Sequence, residues 1–174
     1  MKEIDKLLWE EFKKKVPDTN IIEKIISEGG DINSIDDSKD TLLSDFLEDI
    51  SYQVNYYEED ENSDLIPFSN NLPDKDDEEK LKLLFKYGIN PNIYKEDSYS
   101  CLYDACVICL PEYVKILLEN GARPNIKIAE EENFIDEMKM WICDDNDYRI
   151  VEDAIDRNKN MDIIIDMLKE YNIK

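Results

Sequence analysis

The chain has 174 residues, 43 acidic against 21 basic and no histidine, giving a formal net charge of −22. Without histidine there is no Ser-His-Asp triad, no Cys-His nucleophile pair and no imidazole-ligated zinc. The charge opposes direct binding to nucleic acid or to anionic membrane and favours basic partners, or none.

In chain order, a first helix is predicted over residues 4–15, where Ile4, Leu7, Leu8 and Phe12 recur at helical spacing and Trp9 joins the core. Charges run through this stretch, so no targeting segment is expected there. Pro17-Asp18-Thr19 turns the chain into a partner helix at 20–28. The next helix is expected at 42–54, with Thr41 as its N-cap. A long acidic loop at 55–77 follows, holding Glu58-Glu59-Asp60-Glu61, Pro67, Pro73 and Asp74-Lys75-Asp76-Asp77. Helices are then predicted at 78–87, at 100–110 with Ser100 as cap, and at 111–120. A second insertion, 127–147, is expected to carry an added helix over 134–143. A final pair is predicted at 148–157 and 161–171. No apolar run approaches the ~18 residues of a membrane span. Length and 42% hydrophobic content allow one domain with a real core.

The segments that end these helices repeat. Leu83-Leu84-Phe85-Lys86-Tyr87-Gly88-Ile89-Asn90-Pro91-Asn92 matches Ile116-Leu117-Leu118-Glu119-Asn120-Gly121-Ala122-Arg123-Pro124-Asn125, and the two glycines stand 33 residues apart. An earlier copy is Ile25-Ile26-Ser27-Glu28-Gly29-Gly30-Asp31-Ile32-Asn33. A degenerate last copy is Met167-Leu168-Lys169-Glu170-Tyr171-Asn172-Ile173, with Tyr171 in the place of glycine. In each, an apolar pair closes a helix, a left-handed residue follows, and Asn starts a turn. A period in the low thirties is the mark of a helical solenoid.

On these residues the chain resembles the ankyrin repeat family. Ser98-Tyr99-Ser100-Cys101-Leu102-Tyr103-Asp104-Ala105 follows that family's G-x-T-P-L-H-x-A motif, with Ser, Ser, Cys and Tyr for Gly, Thr, Pro and His. Residues 111–125 follow the rest of the repeat closely, and 154–164 resemble its helix-turn-helix junction. The resemblance implies an all-α solenoid of antiparallel helix pairs forming a single domain over 1–174. Its units are 1–34, 35–92 with an acidic insertion at 55–77, 93–126, and 127–174 with an insertion at 127–147. Gly29 to Gly88 is 59 residues, 26 beyond one period, and Gly121 to Tyr171 is 50, or 17 beyond it. Both surpluses fall in the insertions.

Residue chemistry points to binding. Cys106-Val107-Ile108-Cys109 has redox spacing, but it lies late in a predicted inner helix, where free Cys behaves as a small buried hydrophobe. With Cys101 and Cys143 it fits reduced thiols in a cytoplasmic protein. The four thiols are not spaced to converge on zinc. Asp36-x-Ser38-x-Asp40 and Asp144-x-Asn146 lack the Gly and the bidentate Glu of a calcium loop. The carboxylates are too many to single out a catalytic pair. No catalytic residue, metal or cofactor is therefore assigned.

The resemblance implies that fingers and inner helices face a partner. Tyr94, Glu96, Asp97, Tyr99, Tyr103 and Asp104 are candidates there. Tyr56, Tyr57, Glu58, Glu59, Asp60 and Glu61 are candidates in the acidic insertion, and Trp141 in the second. Exposed Tyr among carboxylates suits an interface, while packing between repeats is the competing role for several of them. The expectation is a non-catalytic scaffold, monomeric when free, that inhibits a basic protein, as an immunity protein does a toxin. A nucleic-acid mimic and a signalling or host-directed adaptor are the alternatives. Ten acidic residues lie within 55–79 alone, most of them in the insertion that the repeat does not require.

Overall fold

The computed structural model describes residues 1–54, 57–59, 65–67, 75–93, 99–123, 134–140, 142 and 151–173; at 54, 57–59, 65–67 and 151–156 it describes the backbone path alone. The described residues form eight helices and one short ribbon. These are α1 (Glu3–Phe12), α2 (Thr19–Ser27), α3 (Leu42–Val54), β1 (Tyr57–Glu59), β2 (Leu65–Pro67), α4 (Lys75–Lys86), α5 (Cys101–Val107), α6 (Pro111–Glu119), α7 (Phe134–Met140) and α8 (Val151–Glu170). The strands pair antiparallel, Glu58 opposite Ile66, within the stretch expected to be loop.

Helix starts follow the side chains. The Ser100 hydroxyl accepts from Tyr103 N at 3.2 Å. Thr41 and Ser44 cap reciprocally: Ser44 N donates to Thr41 Oγ1 and Thr41 N to Ser44 Oγ. Asp18 accepts from Asn20 N and Ile21 N, which holds its carboxyl below the usual range. Pro111 opens α6, where its missing N–H costs nothing.

Four helix ends share one hydrogen-bond pattern. Ile89 N reaches Leu84 O and Gly88 N reaches Phe85 O; Ala122 and Gly121 repeat this on Leu117 and Leu118, and Gly30 and Gly29 on Ile25 and Ile26. Gly88 and Gly121 stand at φ 87° and 81°, where a side chain would be strained. In the fourth copy Ile173 N reaches Leu168 O and Asn172 N reaches Lys169 O, and Asn172 has φ 55°. Asn172, and not Tyr171, thus takes the glycine position. Asn tolerates the left-handed region where bulky Tyr does not.

Between copies runs a ladder. Asn33 Nδ2 donates to Gly88 O at 3.1 Å while its Oδ1 accepts from Asn90 N at 2.7 Å. Asn92 does the same with Gly121 O at 3.0 Å and Arg123 N at 2.8 Å. The buried Asp5 begins the series, accepting from Asp31 N at 2.9 Å. Replacing Asn92 by Ala leaves one donor and one acceptor without their partner and is expected to cost about 1–2 kcal/mol. Asn92→Asp keeps the acceptor and should cost less; urea unfolding of the two variants checks the order.

The core is continuous. Leu8, Ile22, Leu43, Leu47, Leu81, Leu84, Leu102, Leu117, Met161 and Ile164 are fully buried, and Trp9 joins them with its Nε1–H bonded to Ser34 Oγ at 3.1 Å. α1 packs on α2, α3 on α5, α5 on α6, α6 on α4 and α8, and α7 on α8.

The last helix corrects the expected final pair. α8 runs unbroken through Asn158-Lys159-Asn160, where a turn was predicted. This stretch holds neither Gly nor Pro to stop a helix. Arg157 and Asn160 are used instead to bond the carbonyls of Val107 and Cys109, at 3.3 and 3.1 Å, beside the turn after α5. Cys109 there has φ 61°, so this turn leaves carbonyls that α8 satisfies.

Candidate acidic interaction surface

Of the thirteen residues proposed for partner binding, Tyr56, Asp60, Glu61, Tyr94, Glu96, Asp97 and Trp141 lie outside the described residues. Tyr57, Glu58 and Glu59 form β1. Tyr99, Tyr103 and Asp104 are fully described, and they play three different parts.

Tyr103 is buried, at 8% exposure. Its ring stacks on Tyr99 at 3.9 Å between centroids and meets the edge of Phe134 at 6.2 Å. It is therefore a packing residue joining α5 to α7, its ring held between two other aromatic rings. Tyr99 keeps 44% of its surface exposed and forms the outer layer of that stack. Asp104, on the next position of α5, is half-buried. Burial first, and then the charge of Glu48 across the α3–α5 contact, push its carboxyl from 3.8 up to about 6.

Packing on α5 thus brings α3 into the site, a helix that holds none of the expected binding residues. Asp45, Glu48, Asp49 and Tyr52 follow a helical i, i+3, i+4, i+7 course along its polar side. Tyr52 is 64% exposed, and its hydroxyl donates to Glu48 Oε1 at 3.3 Å. Asp49 is held above its ordinary value by burial, then by Asp45 and Asp77, against the pull of Lys13 and Lys80. That spacing was visible in the sequence. Its meaning depends on α5 and α4 lying alongside.

Acidic groups elsewhere are used locally. Glu11 is buried, and burial disfavours its charge. Hydrogen bonds from Lys14 Nζ at 2.6 Å and Asp18 N at 2.8 Å outweigh this and hold its pKa below the ordinary value. Glu11 therefore stabilises the fold above its unfolded pKa and loses that contribution as pH falls.

The three described thiols are enclosed, and Cys143 lies outside the described residues. Cys101, Cys106 and Cys109 are buried and unoxidised. Burial, and secondarily Asp104, push Cys101 up to about 12, and burial with Cys109 and Asp104 raises Cys106 well above its usual value. Protonated at neutral pH, these two thiols are weak nucleophiles and weak ligands. Among the described residues no group of three or more Cys, Asp or Glu is arranged to hold a metal, and no helix is long and apolar enough to cross a membrane. The chain matches no protein-family model, and no curated protein matches it significantly.

Proposed function

We propose that this chain is a divergent ankyrin-type scaffold that binds a basic protein, without catalysis, as an acidic inhibitor of the immunity-protein kind. The observation that carries the reading is the set of groups where α3 packs on α5: Glu48 and half-buried Asp104, exposed Tyr52 bonded to Glu48, and exposed Tyr99 stacked on Tyr103. Two carboxylates held close on packed helices repel one another, and a cation from a partner lowers that energy. The repeated helix ends and the Asn33 and Asn92 ladder support the stacked-repeat part of the reading. In such a stack α3 and α5 are inner helices whose polar sides line one face. The net charge of −22 would steer a basic partner toward that face.

Capture on the immobilised full chain, compared with a Glu48→Gln/Asp104→Asn variant, tests this. A basic protein is expected to be retained at about 50 mM salt and weakened at least about tenfold at about 500 mM. The double variant should bind it severalfold less. Retention indifferent to salt and to both substitutions refutes the reading.

A further inference from the structure

The chain contains a single Asn-Gly pair, Asn120-Gly121, and it stands where α6 ends. At the sister turns Glu28 precedes Gly29 and Tyr87 precedes Gly88, so neither holds a side-chain amide there. Asn120 and Gly121 are both exposed to water. In an open chain such a pair is chemically unstable. The backbone nitrogen after Asn attacks the side-chain carbonyl carbon, and Gly has no Cβ to hinder the approach. The new C–N bond closes a succinimide ring. The side-chain nitrogen leaves as ammonia, carrying the proton that the backbone nitrogen gave up. Water then opens the ring at either carbonyl and leaves an aspartyl or an isoaspartyl residue.

The fold opposes each part of this reaction. Asn120 has φ −96° and ψ 17°, so the peptide that follows continues the last turn of α6. Gly121 N therefore faces back along the helix and donates to Leu118 O at 3.0 Å. The side chain is drawn the same way, since Asn120 Nδ2 donates to Ile116 O at 2.8 Å. Nucleophile and leaving group are thus both tied to helix carbonyls. The turn is also held from the preceding copy. Asn92 Nδ2 donates to Gly121 O at 3.0 Å, and Arg123 N donates to Asn92 Oδ1 at 2.8 Å. Swinging the Gly121 nitrogen onto the Asn120 side chain moves Gly121, and with it the carbonyl that Asn92 holds.

We propose that Asn120-Gly121 is a site of spontaneous deamidation that the docking of Asn92 keeps shut, so that it is modified when the ladder between these two copies opens. The modification then acts back on the ladder. An aspartyl product loses the donor to Ile116 O and sets a negative charge at the C-terminus of α6, against the helix dipole. An isoaspartyl product inserts one extra carbon into the main chain just before Gly121. That shifts Gly121 O and Arg123 N out of register with Asn92. Copies that have separated long enough to react therefore no longer redock as before. The site depends on the junction between copies and needs no partner protein.

The test holds the full chain at mildly alkaline pH, folded or in denaturant, and follows position 120 by peptide mass spectrometry with detection of isoaspartyl. In denaturant, position 120 is expected to react before any other Asn. The folded chain should react there at least about tenfold more slowly, because a local opening must come first. Asn92→Ala should speed the reaction of the folded chain severalfold. Asn33→Ala removes the neighbouring step of the ladder, on Gly88 and Asn90, and should leave the rate near that of the parent. If Asn92→Ala does not fold, Asn92→Asp, which keeps the acceptor and loses the donor, gives the same comparison. Equal rates in the folded and denatured chain, or equal effects of the Asn92 and Asn33 variants, overturn the proposal. Purified modified protein should melt below the parent, and an unchanged midpoint overturns its effect on the ladder.

Discussion

Leu117→Ala is expected to lower the unfolding free energy by about 3–4 kcal/mol, the range for a leucine whose cavity cannot close. The side chain is fully buried on α6, the helix that touches α4, α5 and α8 together. Its carbonyl also accepts from Ala122 N at 3.0 Å and so anchors the turn where Asn92 docks. Collapse around the cavity would have to move three helices, so little relaxation is available. For a chain of this length the thermal midpoint should fall by roughly 10 °C. In urea the midpoint should drop with no change in slope. Lys115→Ala, on the exposed side of the same helix, is the control and should stay within about 0.5 kcal/mol of the parent. A loss below about 1 kcal/mol for Leu117→Ala would mean that α6 is not the hub of the packing.

Asp104→Asn is expected to stabilise the protein by about 2 kcal/mol at neutral pH. The carboxyl is pushed from 3.8 up to about 6 by burial and by Glu48. An acid whose folded pKa lies above its unfolded one holds its proton more tightly when folded, so ionising it costs stability. The cost is absent below pH 4, grows between pH 4 and 6, and is complete above pH 6. The full shift corresponds to about 3 kcal/mol, and the water that still reaches this half-buried group reduces it. Asn removes the charge and keeps the shape. The parent should therefore lose stability relative to Asp104→Asn as pH rises through 4–6, and the two should agree at pH 4. Parallel stability–pH profiles would show that burial and Glu48 do not raise the Asp104 pKa.

Helix ends were the most legible part of the fold. Ser100 and Thr41, the two expected caps, act within a few residues of themselves, so their local chemistry is readable as text. α3 and α6 appear at the positions their patterns predict. The last copy differs by one residue from the expected register, because Asn172 rather than Tyr171 ends the helix. The backbone requires a residue that accepts φ 55°, and only Asn172 of the two does so readily. α8 was divided for a related reason. The Asn158–Asn160 segment looks like a junction, yet a junction needs a helix stop. Arg157 and Asn160 were drawn into bonds with a turn some fifty residues away.

The candidate surface was only half legible. Tyr99 and Asp104 could be placed by resemblance, while Asp45, Glu48 and Asp49 carry no local mark that separates them from the other carboxylates of the chain. Tyr103 looked equally available and is packed between Tyr99 and Phe134. By itself the sequence determined the charge of −22, the absence of histidine, the apolar periodicity and the recurring left-handed helix ends, because each depends on composition or on a few adjacent residues. Tertiary structure alone decided which carboxylates oppose one another and which stay single. Repulsion and desolvation depend on distance and burial across α3, α4 and α5, and residues as far apart as Glu48 and Asp104 acquire these only when the helices pack.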